Sequence, residues 1–380
     1  MKSSKDWKIT RKKFQSLELF FAAVPDVGRC LDGRGSTGRV GEPPASGRSG
    51  AALIVALWVV LVLSLLIGSM AFDMQVEANV TGYQRKRMQA HYLAQAGLEW
   101  AQVVLNRKVT ESAEGELVIE EGQDEQMIIA SINLSRGVGV RGITKTLSQG
   151  SFSVDIIPEE GRRNVNSLTD EDWEEILDQA GVPDDEWPEL IDCFGDWIDE
   201  GDEHRLNGAE SDDAYYEELD YEVKNAPVDT IDELLLIKGF NEAIVFGGPD
   251  PEDPDLVYRG IASWLTPWGD GKVNVNTASR EVLMTIPGIE DWVIDDILEY
   301  RSGEDGEMGT RDDGFDSVDD LISKTGFDPE LRDKISVVDK KYLRVISIGE
   351  VGEVKNGIWA VYEAGDQGVR PVYWREEAMP

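Results

Sequence analysis

The residues most able to do chemistry are carboxylates gathered in one short stretch: Asp196, Asp199, Asp202, Glu210, Asp212 and Asp213. They surround an irregular loop rich in oxygen donors, the donor type that a hard cation such as calcium prefers. A second acidic loop runs from Glu304-Asp-Gly-Glu307 to Asp312-Asp313. Neither has the spacing of an EF-hand, and a solvated acidic face is the competing reading of both. Other chemistry is poorly supplied. The two histidines, His91 and His204, stand far apart, and the two cysteines, Cys30 and Cys193, form no cluster, which argues against zinc. There is no GxSxG, no phosphate loop and no metal-binding His pair, so nothing marks an enzyme. Two acid/base carboxylates could still hide among 74 Asp and Glu, which keeps a membrane-anchored hydrolase as a third reading.

The elements that must position the acidic stretch can be read from periodicity. Ala51 to Phe72 carries no charge and is long enough to cross a bilayer as a helix. Ten basic residues precede it against five acidic ones, whereas 27 basic face 69 acidic residues after it. Positive flanks stay in the cytoplasm, so the remainder is expected outside it. From Asp73 to Leu105 there is no proline, and Ala90, Leu93, Gly97 and Ala101 recur at helical spacing. One helix over 51–105 would measure roughly 80 Å. Segments 117–121, 127–134 and 152–158 read as strands, as do 342–348, 358–362 and 369–374 near the C-terminus. The intervening 159–338 reads as mostly helical and inserted into a small sheet.

The insertion repeats itself. Asn164-Val-Asn166 returns as Asn274-Val-Asn276, and 229–240 aligns without gaps on 316–327. Asp229 and Asp316 are placed to cap a helix and Gly239 and Gly326 to end it. Val282 to Arg301 resembles a helix-hairpin-helix, whose Pro-Gly turn can offer amides to a DNA phosphate. Glu290, Asp291, Asp295 and Asp296 would repel that phosphate, so a packing role is expected there. The net charge of −37 likewise argues against a nucleic-acid partner.

Gly50 followed by Ala51 and the long apolar run resembles the cleavage site of type IV prepilins and pseudopilins. Most pilins carry a glutamate at the fifth mature position; here it is Val55. With this glycine, the motifs Tyr92-Leu-Ala-Gln-Ala-Gly-Leu98, Asp196-Trp-Ile-Asp199, Gly208-Ala-Glu210, Lys224-Asn-Ala-Pro227 and Asn274-Val-Asn-Thr-Ala278 make the chain resemble general secretion pathway protein K, the large minor pseudopilin of type II secretion. The resemblance implies an α+β, pilin-like fold: a long N-terminal helix on a small antiparallel sheet, with a large inserted helical domain containing a duplicated helix-hairpin-helix-like (SAM-like) unit. It divides the chain into a leader (1–50), a transmembrane stalk (51–72), a periplasmic stalk (73–105), sheet segments (106–158 and 339–380) and the insertion (159–338).

Functionally, the resemblance implies a non-enzymatic subunit at the pseudopilus tip that helps initiate and limit assembly for export of folded proteins. Its partners would be prepilin peptidase, other minor pseudopilins and the major pseudopilin. It would sit in the bacterial inner membrane by a single pass, with the N-terminus cytoplasmic and the C-terminal domain periplasmic. Absence of a glutamate at Val55 fits a subunit with no neighbour above, because an unpaired carboxylate in lipid is costly. Calcium in the helical domain is implied as well, with Asp196, Asp199, Asp202, Glu210, Asp212 and Asp213 as candidate ligands. The 50-residue leader exceeds the family's usual length, so either it is unusual or the true start lies downstream. A minor pilin of a type IV pilus or DNA-uptake filament is the alternative.

Overall fold

A computed structural model describes residues 49–107, 124–251, 253–306, 308, 310, 312–338, 341–365 and 368–377. The chain divides into two units, Met1–Asp73 and Met74–Pro380.

Helix α1, Ser49–Leu105, contributes to both units. Within the first unit its side chains from Leu53 to Phe72 are exposed, and it is the one helix among the described residues apolar and long enough to cross a membrane. An uncharged helix satisfies its own backbone groups, which is what a bilayer demands of a spanning segment.

In the second unit, α1 buries Ala90, Leu93, Ala94, Leu98, Ala101 and Val104, the i, i+3, i+4 stripe of an amphipathic helix. The stripe meets a five-stranded antiparallel sheet: β1 (Val140–Leu147), β2 (Gly150–Pro158), β3 (Tyr342–Val351), β4 (Val354–Gly365) and β5 (Gly368–Glu377). The strands pair in sequence order, so the sheet is a meander interrupted only between β2 and β3. Helix and sheet approach to backbone contact. A Cβ on Gly349 would lie 1.9 Å from the Ala90 carbonyl oxygen, and one on Gly97 would lie 2.1 Å from Ser347 Oγ.

The strand expected at 127–134 is instead helix α2, Glu125–Ser135. Asp124 accepts a hydrogen bond from the Gln126 amide and caps it, while Ile128, Ala130, Ile132 and Leu134 are buried. Packing decided between the two structures that a short apolar run allows. The strand expected at 117–121 lies outside the described residues. Strand β1, which the pattern did not announce, pairs with β2 in its place.

The insertion is tied to the sheet by buried ions. Glu159 is wholly buried and is bound by Arg162 (3.0 Å), Arg344 and Thr266 Oγ1 (2.7 Å). These cations hold its carboxyl below the usual range although burial pushes it upward. Glu160 Oε1 accepts the Tyr342 amide at 2.8 Å, joining the start of the insertion to its return.

Inside the insertion the sequence repeat becomes a structural one. The first copy pairs Arg163–Asn164 in parallel with Leu265–Thr266 and carries α3 (Asp170–Ala180), α4 (Trp187–Ile198), α5 (Ala214–Glu217), a 3-10 turn at Ile231–Leu236 and α6 (Glu242–Phe246). The second pairs Val273–Asn274 in parallel with Ile335–Ser336 and carries α7 (Arg280–Met284), α8 (Asp291–Tyr300), α9 (Val318–Thr325) and a 3-10 turn at Pro329–Lys334. In each copy the first Asn of Asn-Val-Asn accepts the amide of the second. The second then reaches across the unit: Asn166 Oδ1 accepts the Val228 amide (2.7 Å), and Asn276 Oδ1 the Phe315 amide (2.8 Å). Val228 and Phe315 are equivalent positions, one residue before the aligned segments. The caps stand one residue later than expected in both copies, at Thr230 and Ser317 rather than Asp229 and Asp316. Gly326 ends α9 in the left-handed conformation (φ 66°), whereas Gly239 (φ 90°) lies in the turn beyond the 3-10 segment, whose C-cap is Ile237.

Candidate functional site

The acidic loop of the first copy leaves the end of α4 and returns at α5. Asp196, in the last turn of α4, is wholly buried, and its carboxylate accepts the Arg205 amide at 3.1 and 3.3 Å. The loop folds back so closely that a Cβ on Gly208 would lie 1.9 Å from Asp196 Oδ2. Asp192 holds the same turn by accepting the Asn207 amide and side chain, both at 2.9 Å. Two positions away, Glu210 is 2% exposed, and neither of its carboxylate oxygens has a hydrogen-bond donor. Burial raises its pKa, and the charges of Asp196, Asp199 and Asp202 raise it further. Asp196 is raised as well, by burial first and Asp199 next. Buried carboxylates are normally paired, so a Glu210 buried with no donor to either oxygen, beside three further carboxylates, stands out among the described residues.

The structure partitions the six candidates. Asp196, Asp199, Asp202 and Glu210 act on one another electrostatically. Asp212 turns away to His204, 2.6 Å distant, and raises that imidazole's pKa. Asp213 caps α5 through the Tyr215 amide (2.8 Å) and lies 3.5 Å from Lys238, which together lower its pKa. Among the described residues, no three His, Cys, Asp or Glu side chains stand ready to hold a metal ion.

Sequence reasoning missed Asn225. It is the only non-glycine with positive φ (49°) among the described residues, and its Nδ2 donates to the Gly201 carbonyl (3.0 Å) and to Asp202 (3.3 Å). Its Oδ1 is buried without a donor. An Asn within Lys224-Asn-Ala-Pro227, where a left-handed residue precedes a turn, was the available signal.

The second acidic loop is built differently. Asp312 accepts the Thr310 hydroxyl and the Glu304 amide, both at 2.7 Å, which lower its pKa. Gly50 and Ala51 fall at the start of α1, and Val55 is exposed within it.

Three comparisons bear on this architecture. A family profile described as "Type II secretion system (T2SS), protein K" matches residues 151–246, from β2 through the first copy. The type II secretion system protein K of Pseudomonas aeruginosa is 24% identical over 339 residues, covering 85% of this chain and 90% of that protein. The crystal structure of the GspK-GspI-GspJ complex from the enterotoxigenic Escherichia coli type 2 secretion system superposes with a TM-score of 0.52 at 14% identity. That match covers 79% of this chain and 99% of the solved one, and it shares the fold of helix, sheet and inserted helices described above. The chain is therefore similar to type II secretion system protein K in sequence over most of its length and shares the fold of the solved GspK complex.

Proposed function

We propose that this subunit stands at the tip of a pseudopilus, where it helps initiate and limit assembly for export of folded proteins. The observation that carries the reading is the insertion of residues 159–341 between β2 and β3, which sets two helical repeats upon a stalk-and-sheet body. A head enlarged in this way leaves little room for a further subunit above. Val55 supports the same reading, since a subunit with no neighbour above has no amine for a fifth-position glutamate to meet. The related GspK is found with GspI and GspJ, and we infer other minor pseudopilins as partners here, together with the major pseudopilin. Insertion is by a single pass through the inner membrane, with the basic flank inside and the acidic body in the periplasm. Nothing in the proposed role requires the chain to be an enzyme.

Maturation is proposed to occur between Gly50 and Ala51 by prepilin peptidase. Co-expression with that peptidase followed by N-terminal sequencing decides it. A chain beginning at Ala51 is the expected result; an unprocessed chain, or cutting after Phe72, would remove the pilin reading.

Calcium is proposed at the first acidic loop. The donor set fits: Asp196, Asp199, Asp202 and Glu210 are hard oxygen donors, and the orphaned Glu210 oxygens are what a cation would satisfy. Asn225 Oδ1 is a further candidate, whereas Asp212 and Asp213 are engaged elsewhere. The ion would neutralise the loop's charge and fix its fold. Millimolar calcium should raise the melting temperature of the full chain in detergent, and chelator should reverse it. Indifference to both would end the calcium proposal without touching the pseudopilin assignment.

A further inference from the structure

The inserted helices and the stalk-borne sheet keep separate cores. Buried apolar residues from Val165 to Val337 form one cluster, those of α1, α2 and β1 to β4 form another, and no residue belongs to both. The bonds that join the two bodies differ between the two flanks of the joint.

On one flank they are buried. Glu159, wholly buried, holds Arg344 of β3. In the turn between α2 and β1, the Gly137 carbonyl accepts both Asn274 Nδ2 and Thr277 Oγ1 at 2.9 Å, and the Arg136 carbonyl accepts Asn276 Nδ2 at 3.2 Å. The two bodies approach to backbone contact here, since a Cβ on Gly137 would lie 2.6 Å from the Val337 carbonyl oxygen. Parting this flank would strand buried polar groups and a buried charge.

On the other flank the first copy overhangs β3, β4 and β5 across a cleft of about 150 Å³. Ala262, Pro267 and Trp268 wall it from the insertion, and Trp359 and Tyr373 wall it from the sheet. Trp268 meets Tyr373 with ring centroids 5.7 Å apart. The mouth, at the edge strand, is crossed by the ion pair of Arg375 with Asp232 at 2.7 Å, both side chains about half exposed. An exposed pair contributes little stability and is weakened by salt.

We propose that the insertion is a rocking head, pivoted on the Glu159 and Gly137 flank and latched at the edge of the sheet by Arg375 with Asp232. Release of the latch opens the aromatic cleft and tilts the first copy away from β5, while the buried flank keeps its bonds. The motion is a hinge between two packed bodies, each of which moves whole. Neither the tip placement nor calcium enters it.

The test is a spin-label distance measurement on the full chain in detergent, with labels at Thr146→Cys on β1 and Glu217→Cys on α5 in a Cys30→Ser background; Cys193 is buried and stays unlabelled. The otherwise unaltered chain should give one narrow distance population. Arg375→Glu, which sets two carboxylates against each other at the latch, should broaden that population at least about twofold. Adding Asp232→Arg, which restores the pair with its charges exchanged, should narrow it again. Salt at about 1 M should broaden the distribution of the chain with Arg375 intact. Arg136→Glu breaks the exposed pair with Asp316 on the pivot flank and should leave the distribution narrow, because the buried bonds there remain. An unchanged distribution in Arg375→Glu, no recovery in the exchanged pair, indifference to salt, or equal broadening by Arg136→Glu would each overturn the proposal.

Discussion

The two copies of the inserted unit share a scaffold and differ in what they leave unsatisfied. Both hang on an Asn-Val-Asn corner whose second side chain bridges to the residue before the aligned segment. At the end of α4 the first copy places Asp196, and its loop adds Glu210 with two orphaned oxygens. At the end of α8 the second copy places Arg301, and its loop spends Asp312 on its own amide and hydroxyl donors. Duplication kept the groups that close the backbone and let charge diverge. The first copy leaves two buried carboxylate oxygens without a donor, and the second satisfies its loop carboxylate internally.

The comparison is broken most severely at the corners themselves. Asn276 is 1% exposed and donates to the carbonyls of Phe315 (3.0 Å) and Val337 (2.8 Å) while accepting the Phe315 amide. Asn276→Ala leaves those groups buried and unpaired and should cost about 3 kcal/mol. Asn166 is only half-buried, so Asn166→Ala should cost about half as much. Denaturant unfolding of the full chain in detergent would show the order, and equal losses would mean that the two corners are not read differently by burial.

These corners also mark how far the sequence could be read. Asn-Val-Asn was visible as a repeated string, but its job was not, because Asn276 and Phe315 are 39 residues apart and meet only in the fold. The stalk was legible because one period and an uncharged run carry it. Residues 127–134 misled because Ile128, Ile129 and Ile132 favour a strand locally, and only burial against the core selects the helix. The acidic stretch was legible as a cluster. Its division was not: Asp212 and Asp213 leave it for His204 and Lys238, partners fixed by tertiary placement.

A smaller effect, of opposite sign in the two loops, should follow from charge. Glu210 has a raised pKa in the fold, so in the absence of a cation the native state holds its proton more tightly than the unfolded chain. The stability this brings is complete below the ordinary carboxylate value and is lost as pH rises through the raised one. Asp312 has a lowered pKa, so its contribution is present above the ordinary value and is lost as pH falls through the lowered one. Glu210→Gln should therefore stabilise the chelator-treated chain at neutral pH and remove its response to calcium. Asp312→Asn should destabilise it with the calcium response intact. Melting temperatures with and without chelator, from pH 3 to 7, would separate the loops, and a shared sign would contradict their different construction.

The smallest expected difference lies at the helix starts that follow each corner. Thr169 opens α3 with a full capping box: its hydroxyl accepts the Asp172 amide, and Asp172 accepts the Thr169 amide at 3.0 Å. Ser279 opens α7 with a single bond from the Val282 amide, at 3.3 Å. Thr169→Ala removes one arm of the box and also a hydroxyl that donates to Asp172 at 2.9 Å. Asp172 is held ionised by Arg163 against burial, so the loss falls on a buried charge and should reach about 1.5 kcal/mol. Ser279→Ala removes a lone cap on a five-residue helix and should cost about 0.5–1 kcal/mol. If Ser279→Ala proved the costlier change, the second copy would depend on its cap more than its geometry indicates, and the first copy's extra ion pair would not be what distinguishes them.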